Sequence, residues 1–132
     1  MALVPGLAAS TRIVVTDADT MGAMGTGELP VLALPRLLAL ADAAAVAAIA
    51  PCLEPGMTSA GEAVAIQHER PSPVGAEVVV SAELTEVDGR RLAFGFTARL
   101  DRSSGSPDGD EAVVATGTVE RVLVKGTRSG DR

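Results

Sequence analysis

The chain has 132 residues, which fits one domain, and its formal net charge of −6 argues against nucleic acid as a partner. Hydrophobic residues make up 47% of it, with no Trp, no Tyr and two Phe, so the core must be packed mainly with Ala, Val, Leu and Ile. The single cysteine, Cys52, excludes an intrachain disulfide and a cysteine metal cluster, and it suits the reducing cytoplasm. The first ten residues lack the basic segment of a signal peptide, so none is expected.

The N-terminal part predicts one strand and one long helix. Residues 12–16 are largely β-branched, which is typical of a strand, and residues 17–30 contain the Asp, Gly and Pro of a loop. Pro35 opens a helix that continues to Ile49, because proline suits the first helical turn. Pro51 ends it.

The rest of the chain predicts four more strands, at residues 62–69, 76–87, 90–100 and 111–124. Asp88 and Gly89 predict a tight hairpin between the second and third of these. Residues 102–110 read as a loop and residues 126–132 as a polar tail. The element order indicates an α+β fold in which a curved antiparallel sheet wraps one helix, the hot-dog arrangement, as a single domain over residues 1–132 with its core at about 11–124.

Asp42 is the only charge in the apolar run of residues 37–53. Because it interrupts that run, the segment indicates a core helix and not a membrane span. An acid among apolar neighbours is costly unless it is paired or hydrogen-bonded, and such acids are frequent at active sites. A position on a solvent-facing stripe explains it equally well, so both interpretations stay open.

His68 is the only histidine, and it shares a strand face with Val64 and Ile66. An imidazole exchanges a proton near neutral pH, which suits acid–base or carbonyl-polarising work. The alternative is a structural histidine at a strand end.

The other chemically reactive residues favour structural roles. Cys52 fits a small buried residue. Arg90 and Arg91 fit a solvated hairpin end, with phosphate binding as the alternative. The glycines of the N-terminal loop lack the strand-to-helix context of a dinucleotide-binding loop: Gly22, Gly25 and Gly27.

The sequence resembles a known family over most of its length, from about Val31 to Val124. It is similar to the fluoroacetyl-CoA thioesterase group of hot-dog proteins. The similarity is carried by Ala50-Pro-Cys-Leu-Glu-Pro-Gly56, Gly61, His68, Ser81-Ala-Glu-Leu84 and Asp88-Gly-Arg-Arg-Leu92.

This resemblance implies a homodimer, or alternatively a tetramer, that hydrolyses a short acyl-CoA, with coenzyme A as part of the substrate and no other cofactor or metal. It places the glutamate of the family's helix at Asp42, its histidine at His68 and its threonine at Leu34, while Gly61 matches a glycine near the site. Asp42 is one methylene shorter than glutamate and Leu34 has no hydroxyl. Specific defence against fluoroacetate is therefore not expected.

The leading hypothesis is hydrolysis of a small acyl-CoA. Asp42 would activate water, and His68 would polarise the thioester or protonate the leaving thiolate. The backbone amides of Arg36 and Leu37 would bind the oxyanion at the helix start. A non-catalytic acyl-CoA-binding protein is the second hypothesis, and an enoyl-CoA hydratase or dehydratase is the third. Neither a nucleic acid nor a membrane is expected as a partner.

Overall fold

The computed structural model describes residues 2–101 and 112–126. Their helices and strands are, in chain order, β1 (Ala8–Val14), α1 (Met21–Met24), α2 (Leu34–Ile49), β2 (Met57–His68), β3 (Glu77–Asp88), β4 (Arg91–Leu100) and β5 (Ala112–Lys125). Single turns of 3-10 helix lie at Asp17–Asp19 and Ala50–Cys52.

The predicted helix and strands are all present, and the differences lie at their ends. β1 begins at Ala8 because its backbone pairs with β3 from the Ala8–Glu83 position onward. Residues 17–30, predicted as a loop, contain the short helix α1, which is capped by the Thr20 hydroxyl. The loop predicted at 102–110 and most of the predicted tail fall outside the described residues.

Helix α2 forms because its sequence is rich in Ala and Leu and carries Pro35 in its first turn. Its apolar run is long enough to cross a membrane by length and composition. In this fold it is a core helix instead, since one face is buried against the sheet through Leu37, Leu40, Ala41, Ala44, Ala45, Ala48 and Ile49.

The five strands form one curled antiparallel sheet in the order β1-β3-β4-β5-β2. The alternation predicted for β3 and β4 is confirmed, because one face of each strand is buried under α2 through Val78, Val80, Ala82, Leu84, Leu92, Phe94, Phe96 and Ala98. A long helix held in the concave face of such a sheet is the expected hot-dog arrangement.

A second face of α2 remains exposed although it is apolar. This exposed stripe consists of Ala39, Ala43, Val46 and Ala47. It adjoins β2, which is the last strand of the sheet and is exposed along much of its length. The sheet edge and the apolar stripe therefore leave the same side of the molecule uncovered.

Candidate functional site

Asp42 lies on α2 beside a buried arginine of β5. Its Oδ1 accepts a hydrogen bond from Nη1 of Arg121. The Arg121 side chain is only 8% exposed, whereas that of Asp42 is 39% exposed. The carboxylate therefore stands at the boundary between the core and the open side of the molecule, with its charge opposed by a guanidinium.

Arg121 is fixed by Ser59 on the neighbouring strand β2. Its Nε donates to the Ser59 hydroxyl at 2.8 Å and its Nη2 donates to the Ser59 carbonyl at 2.8 Å. Since the guanidinium is a rigid planar group, these two bonds set the direction in which Nη1 reaches Asp42. The carboxylate is thereby oriented by contacts within one chain.

Gly61 lies opposite Arg121 in the β2–β5 pairing and directly beside the carboxylate. A Cβ at this position would be 3.2 Å from Arg121 Nη1 and 3.4 Å from Asp42 Oδ2. The glycine therefore leaves space next to the carboxylate oxygen that does not bind Arg121. The structure brings together Gly61 and Asp42, as predicted from the resemblance.

A β-bulge between Gly61 and Ala63 changes which side chains of β2 face inward. Gly61 pairs with the buried Arg121, and His68 pairs with the buried Ala115. Two residues seven positions apart would face opposite sides of a regular strand. The extra residue of the bulge reverses the alternation of side chains once, so Gly61 and His68 both lie on the concave side of the sheet.

His68 ends β2 far from Asp42 in the same chain. Seven residues of strand separate it from Gly61, or about 20 Å. Its Nε2 is buried and has no hydrogen-bond partner within residues 2–101 and 112–126. It lines an open depression of about 280 Å³ together with Met21, Leu29, Val31, Glu69, Arg70 and Pro71. The single chain therefore does not bring Asp42 and His68 together.

The helix start, where an oxyanion site was predicted, has its amides bonded within the chain. The amides of Arg36 and Leu37 both donate to the Ala33 carbonyl, at 3.1 and 3.2 Å. The Arg36 side chain donates to Asp19 at 2.9 Å. The Arg36 amide and the Nε of its guanidinium are thus engaged within the chain, and substrate binding by Arg36 stays a prediction.

The remaining candidates lie outside this arrangement. Leu34 is the first residue of α2 and is 40% exposed. Cys52 is buried, in keeping with a small core residue. Arg91 forms an ion pair with Glu62 at 2.7 Å, on the hairpin where a solvated role was predicted.

Sequence reasoning missed Arg121, although a signal was present. In β5, Val119, Arg121 and Leu123 occupy alternate positions, so Arg121 is a charge on an otherwise apolar strand face. A buried arginine requires an anionic or carbonyl partner. Asp42 was the acid already singled out on α2, and the strand order supplies the reason why the two meet.

The sequence is similar to known proteins over most of its length. A family model described as fluoroacetyl-CoA-specific thioesterase matches residues 15–127. The fluoroacetyl-CoA thioesterase of Streptantibioticus cattleyicolor is 38% identical over 88 residues, which cover 67% of this chain and 57% of that protein. This chain thus spans little more than half the length of that curated relative.

Solved structures give the same result for the fold. A fluoroacetyl-CoA thioesterase structure superposes with a TM-score of 0.79 at 31% identity, covering 95% of this chain and 90% of the other. A thioesterase superfamily member from Thermus thermophilus has a TM-score of 0.82 at 22% identity over 94% of this chain and 85% of its own, which supports the fold alone. The family model and the 38% identical relative show that the chain belongs to the fluoroacetyl-CoA-specific thioesterase family.

Proposed function

We propose that this protein hydrolyses acyl-CoA thioesters to the free acid and CoA. The observation that carries the proposal is the Asp42 carboxylate, which Arg121 orients while Gly61 leaves space beside its Oδ2. A carboxylate held in this way can accept a proton from a water molecule placed in that space. The relative from Streptantibioticus cattleyicolor is a fluoroacetyl-CoA thioesterase, which gives the same reaction class.

The proposed enzyme is a homodimer that pairs through β2. This strand is at the sheet edge, where unpaired backbone groups favour pairing with another strand. The exposed stripe of α2 lies on the same side and would be covered in the same contact. A two-fold axis would join the two sheets into one and bury both features.

Such a dimer would unite Asp42 with His68. If the axis passes Ala65 and Glu62 is counted as the bulged residue, His68 of one subunit faces Gly61 of the partner subunit. Asp42 lies directly beside Gly61 within its own subunit. Each of the two resulting sites would therefore take its carboxylate from one copy and its imidazole from the other.

The reaction in this composite site would proceed as follows. Water attacks the thioester carbonyl carbon while Asp42 takes its proton. His68 polarises the carbonyl or passes a proton to the sulfur as the carbon–sulfur bond breaks, so the products are a carboxylic acid and the CoA thiol. Leu34 offers no hydroxyl, which leaves water as the nucleophile in this scheme.

The first test is CoA release from a panel of acyl-CoAs by the wild type, Asp42→Asn and His68→Ala. We expect each substitution to lower kcat/KM by roughly a hundredfold or more, as removal of a general acid or base does. The matched control is Asp17→Asn, since Asp17 is an exposed acid outside α2 and β2 and should leave the rate unchanged. A wild type with no activity on any acyl-CoA would overturn the proposal.

The second test is complementation between the two inactive variants. After mixing and subunit exchange, a heterodimer of Asp42→Asn with His68→Ala would contain one intact site and one doubly altered site. Random exchange makes half of the dimers mixed, so about a quarter of the wild-type activity should return. No recovery despite exchange, measured by mass spectrometry, would contradict the shared site.

A non-catalytic acyl-CoA-binding protein is the second candidate, and Leu34 favours it because the family's hydroxyl is absent. Calorimetry that finds tight acyl-CoA binding without CoA release would support this function. In either case we propose that the protein acts in the cytoplasm, where a reduced thiol such as Cys52 persists.

A further inference from the structure

The depression beside His68 has an apolar wall. Four of its lining residues are apolar: Met21, Leu29, Val31 and Pro71. Its polar lining residues are His68, Glu69 and Arg70. Binding sites for small molecules typically combine a mainly apolar wall with a few polar groups, and this composition fits an aliphatic ligand with one polar reacting end.

Leu29 stands out within this wall because it is 60% exposed. Single exposed leucines are common, but this one borders the same depression as a buried imidazole nitrogen that has no protein partner in the described chain. A ligand that packs against Leu29 and approaches His68 would account for both features at once.

The wall is held in place by contacts with the start of α2. The Asp19 carboxylate binds the Arg36 guanidinium, and the Asp19 carbonyl accepts the Ala33 amide at 2.9 Å. Val31 forms a β-bridge with Pro73. The Met21 amide also donates to the Val31 carbonyl at 3.0 Å, so these two lining residues are positioned before any ligand arrives, which lowers the entropic cost of binding.

We propose that this depression receives the acyl chain and that it selects a longer aliphatic acyl group, such as hexanoyl, over acetyl or fluoroacetyl. This inference rests on the proposed thioesterase function. The depression has a volume of about 280 Å³, far above the roughly 10–15 Å³ that a cavity needs to hold one water, so a two-carbon acyl group would reach only part of it. The short acyl groups would leave most of the apolar wall in contact with water.

The direct test is the chain-length dependence of the unaltered protein. Acetyl-, fluoroacetyl-, butanoyl-, hexanoyl- and octanoyl-CoA are compared by CoA release. Since each buried methylene favours binding, we expect kcat/KM to rise about threefold per methylene up to hexanoyl and then to level off. Equal or faster hydrolysis of acetyl- or fluoroacetyl-CoA would overturn the inference while leaving the thioesterase function intact.

A substitution tests whether Leu29 carries this preference. Leu29→Ser should lower the ratio of the hexanoyl to the acetyl kcat/KM by roughly tenfold, because the chain loses an apolar contact. The matched control is Val14→Ser, which alters a 53% exposed apolar residue on the opposite edge strand β1 and should leave the ratio unchanged. An unchanged ratio in Leu29→Ser would contradict the assignment.

Binding of a thioether separates this inference from the proposed function. S-ethyl-CoA and S-hexyl-CoA cannot be hydrolysed, so calorimetry reports chain recognition without turnover. Tighter binding of S-hexyl-CoA, weakened in Leu29→Ser, would support the acyl site even if no thioester were cleaved. Equal affinity for the two thioethers would overturn it.

Discussion

The two ends of β2 differ in whether their polar side chains find hydrogen-bond partners within the described chain. At the Gly61 end, Asp42, Arg121 and Ser59 form a connected set of charge-assisted hydrogen bonds. At the other end, the buried Nε2 of His68 has no partner in the described part of the chain and borders an open depression. The first end is organised by folding alone. At the second end, the Nε2 atom of His68 is available for a hydrogen bond with another molecule.

This difference has a physical basis in where each group lies. Arg121 is on β5, an interior strand of the sheet, so its partners come from the strand and helix packed on either side. His68 ends an edge strand, where one side has no neighbouring strand. Buried polar atoms without partners are rare in folded proteins, so this nitrogen, which has no partner among the described residues, is a position open to a further hydrogen bond.

The largest expected effect on stability comes from a substitution in β5, the strand that pairs with β2 between these two ends. A Cβ on Gly117 of β5 would lie 2.0 Å from the Ala65 carbonyl oxygen and 2.8 Å from Phe96. Gly117→Ala must therefore shift β2 relative to β5, and we expect it to lower the free energy of unfolding by about 3 kcal/mol. Urea denaturation measures this loss.

Gly22→Ala is the control for Gly117→Ala, since no atom lies within 4 Å of a Cβ at Gly22. It should leave the unfolding midpoint unchanged or raise it slightly, because alanine favours helix more than glycine does. Equal stability of Gly117→Ala and the wild type would show that the β2–β5 contact tolerates displacement, and that the two ends are less rigidly linked than the structure indicates.

The second prediction compares the two ends directly. Asp42→Ala leaves the Arg121 guanidinium buried without its carboxylate, so we expect a loss of about 2 kcal/mol in the free energy of unfolding. His68→Ala removes no hydrogen bond of Nε2 and should cost less than about 1 kcal/mol. Both are measured by urea denaturation at one protein concentration, because association adds to apparent stability. A greater loss in His68→Ala would reverse the comparison.

The sequence predicted the elements whose pattern is local. The apolar run of α2 and the alternation in β3 are visible within about a dozen residues, and both are confirmed. The same pattern singled out Asp42 and His68 as the residues to examine. The distance between Asp42 and His68 in the folded chain does not follow from local pattern, and neither does the contact of Asp42 with Arg121. Both depend on strand order and register, which are properties of the whole sheet.

The bulge in β2 is an example of a feature that local sequence pattern does not predict. Gly61 and His68 lie seven positions apart, an odd offset, so a regular strand would put them on opposite faces. The shift between Gly61 and Ala63 places both on the concave face. A glycine in a strand is compatible with a bulge but does not specify one, so the shared face of these two residues emerges only from the structure.

The third prediction concerns the space that Gly61 leaves. In Gly61→Ala the added Cβ would lie 3.2 Å from Arg121 Nη1 and 3.4 Å from Asp42 Oδ2, so the guanidinium that orients the carboxylate must give by a few tenths of an ångström. We expect kcat/KM to fall about tenfold while the free energy of unfolding changes by less than about 1 kcal/mol. Steady-state kinetics beside urea denaturation measure both. Full activity would mean that this space is not used in the reaction.

The smallest expected effect is a pH dependence at the His68 end. Burial tends to raise the pKa of Asp19, but hydrogen bonds from the Thr16 amide and hydroxyl and from Arg36 outweigh it and hold the pKa below its usual value. An acid with a lowered folded-state pKa stabilises the fold above its unfolded-state pKa, which is about 3.9, and loses that contribution as pH falls through the lower folded value. Asp19 therefore contributes fully at neutral pH and progressively less below about pH 4.

Asp19→Asn tests this dependence. At pH 7 we expect the variant to be less stable than the wild type by about 1 kcal/mol, because the charged hydrogen bonds to Thr16 and Arg36 are weakened. At pH 3 the difference should shrink, since the wild-type carboxyl is then partly protonated. Urea denaturation at both pH values measures it.

The loss should also loosen the wall beside His68 and leave the Asp42–Arg121 contact unaffected, because Asp19 anchors only residues before and at the start of α2. A difference that is the same at pH 3 and pH 7 would show that the Asp19 charge does not hold this end of the site.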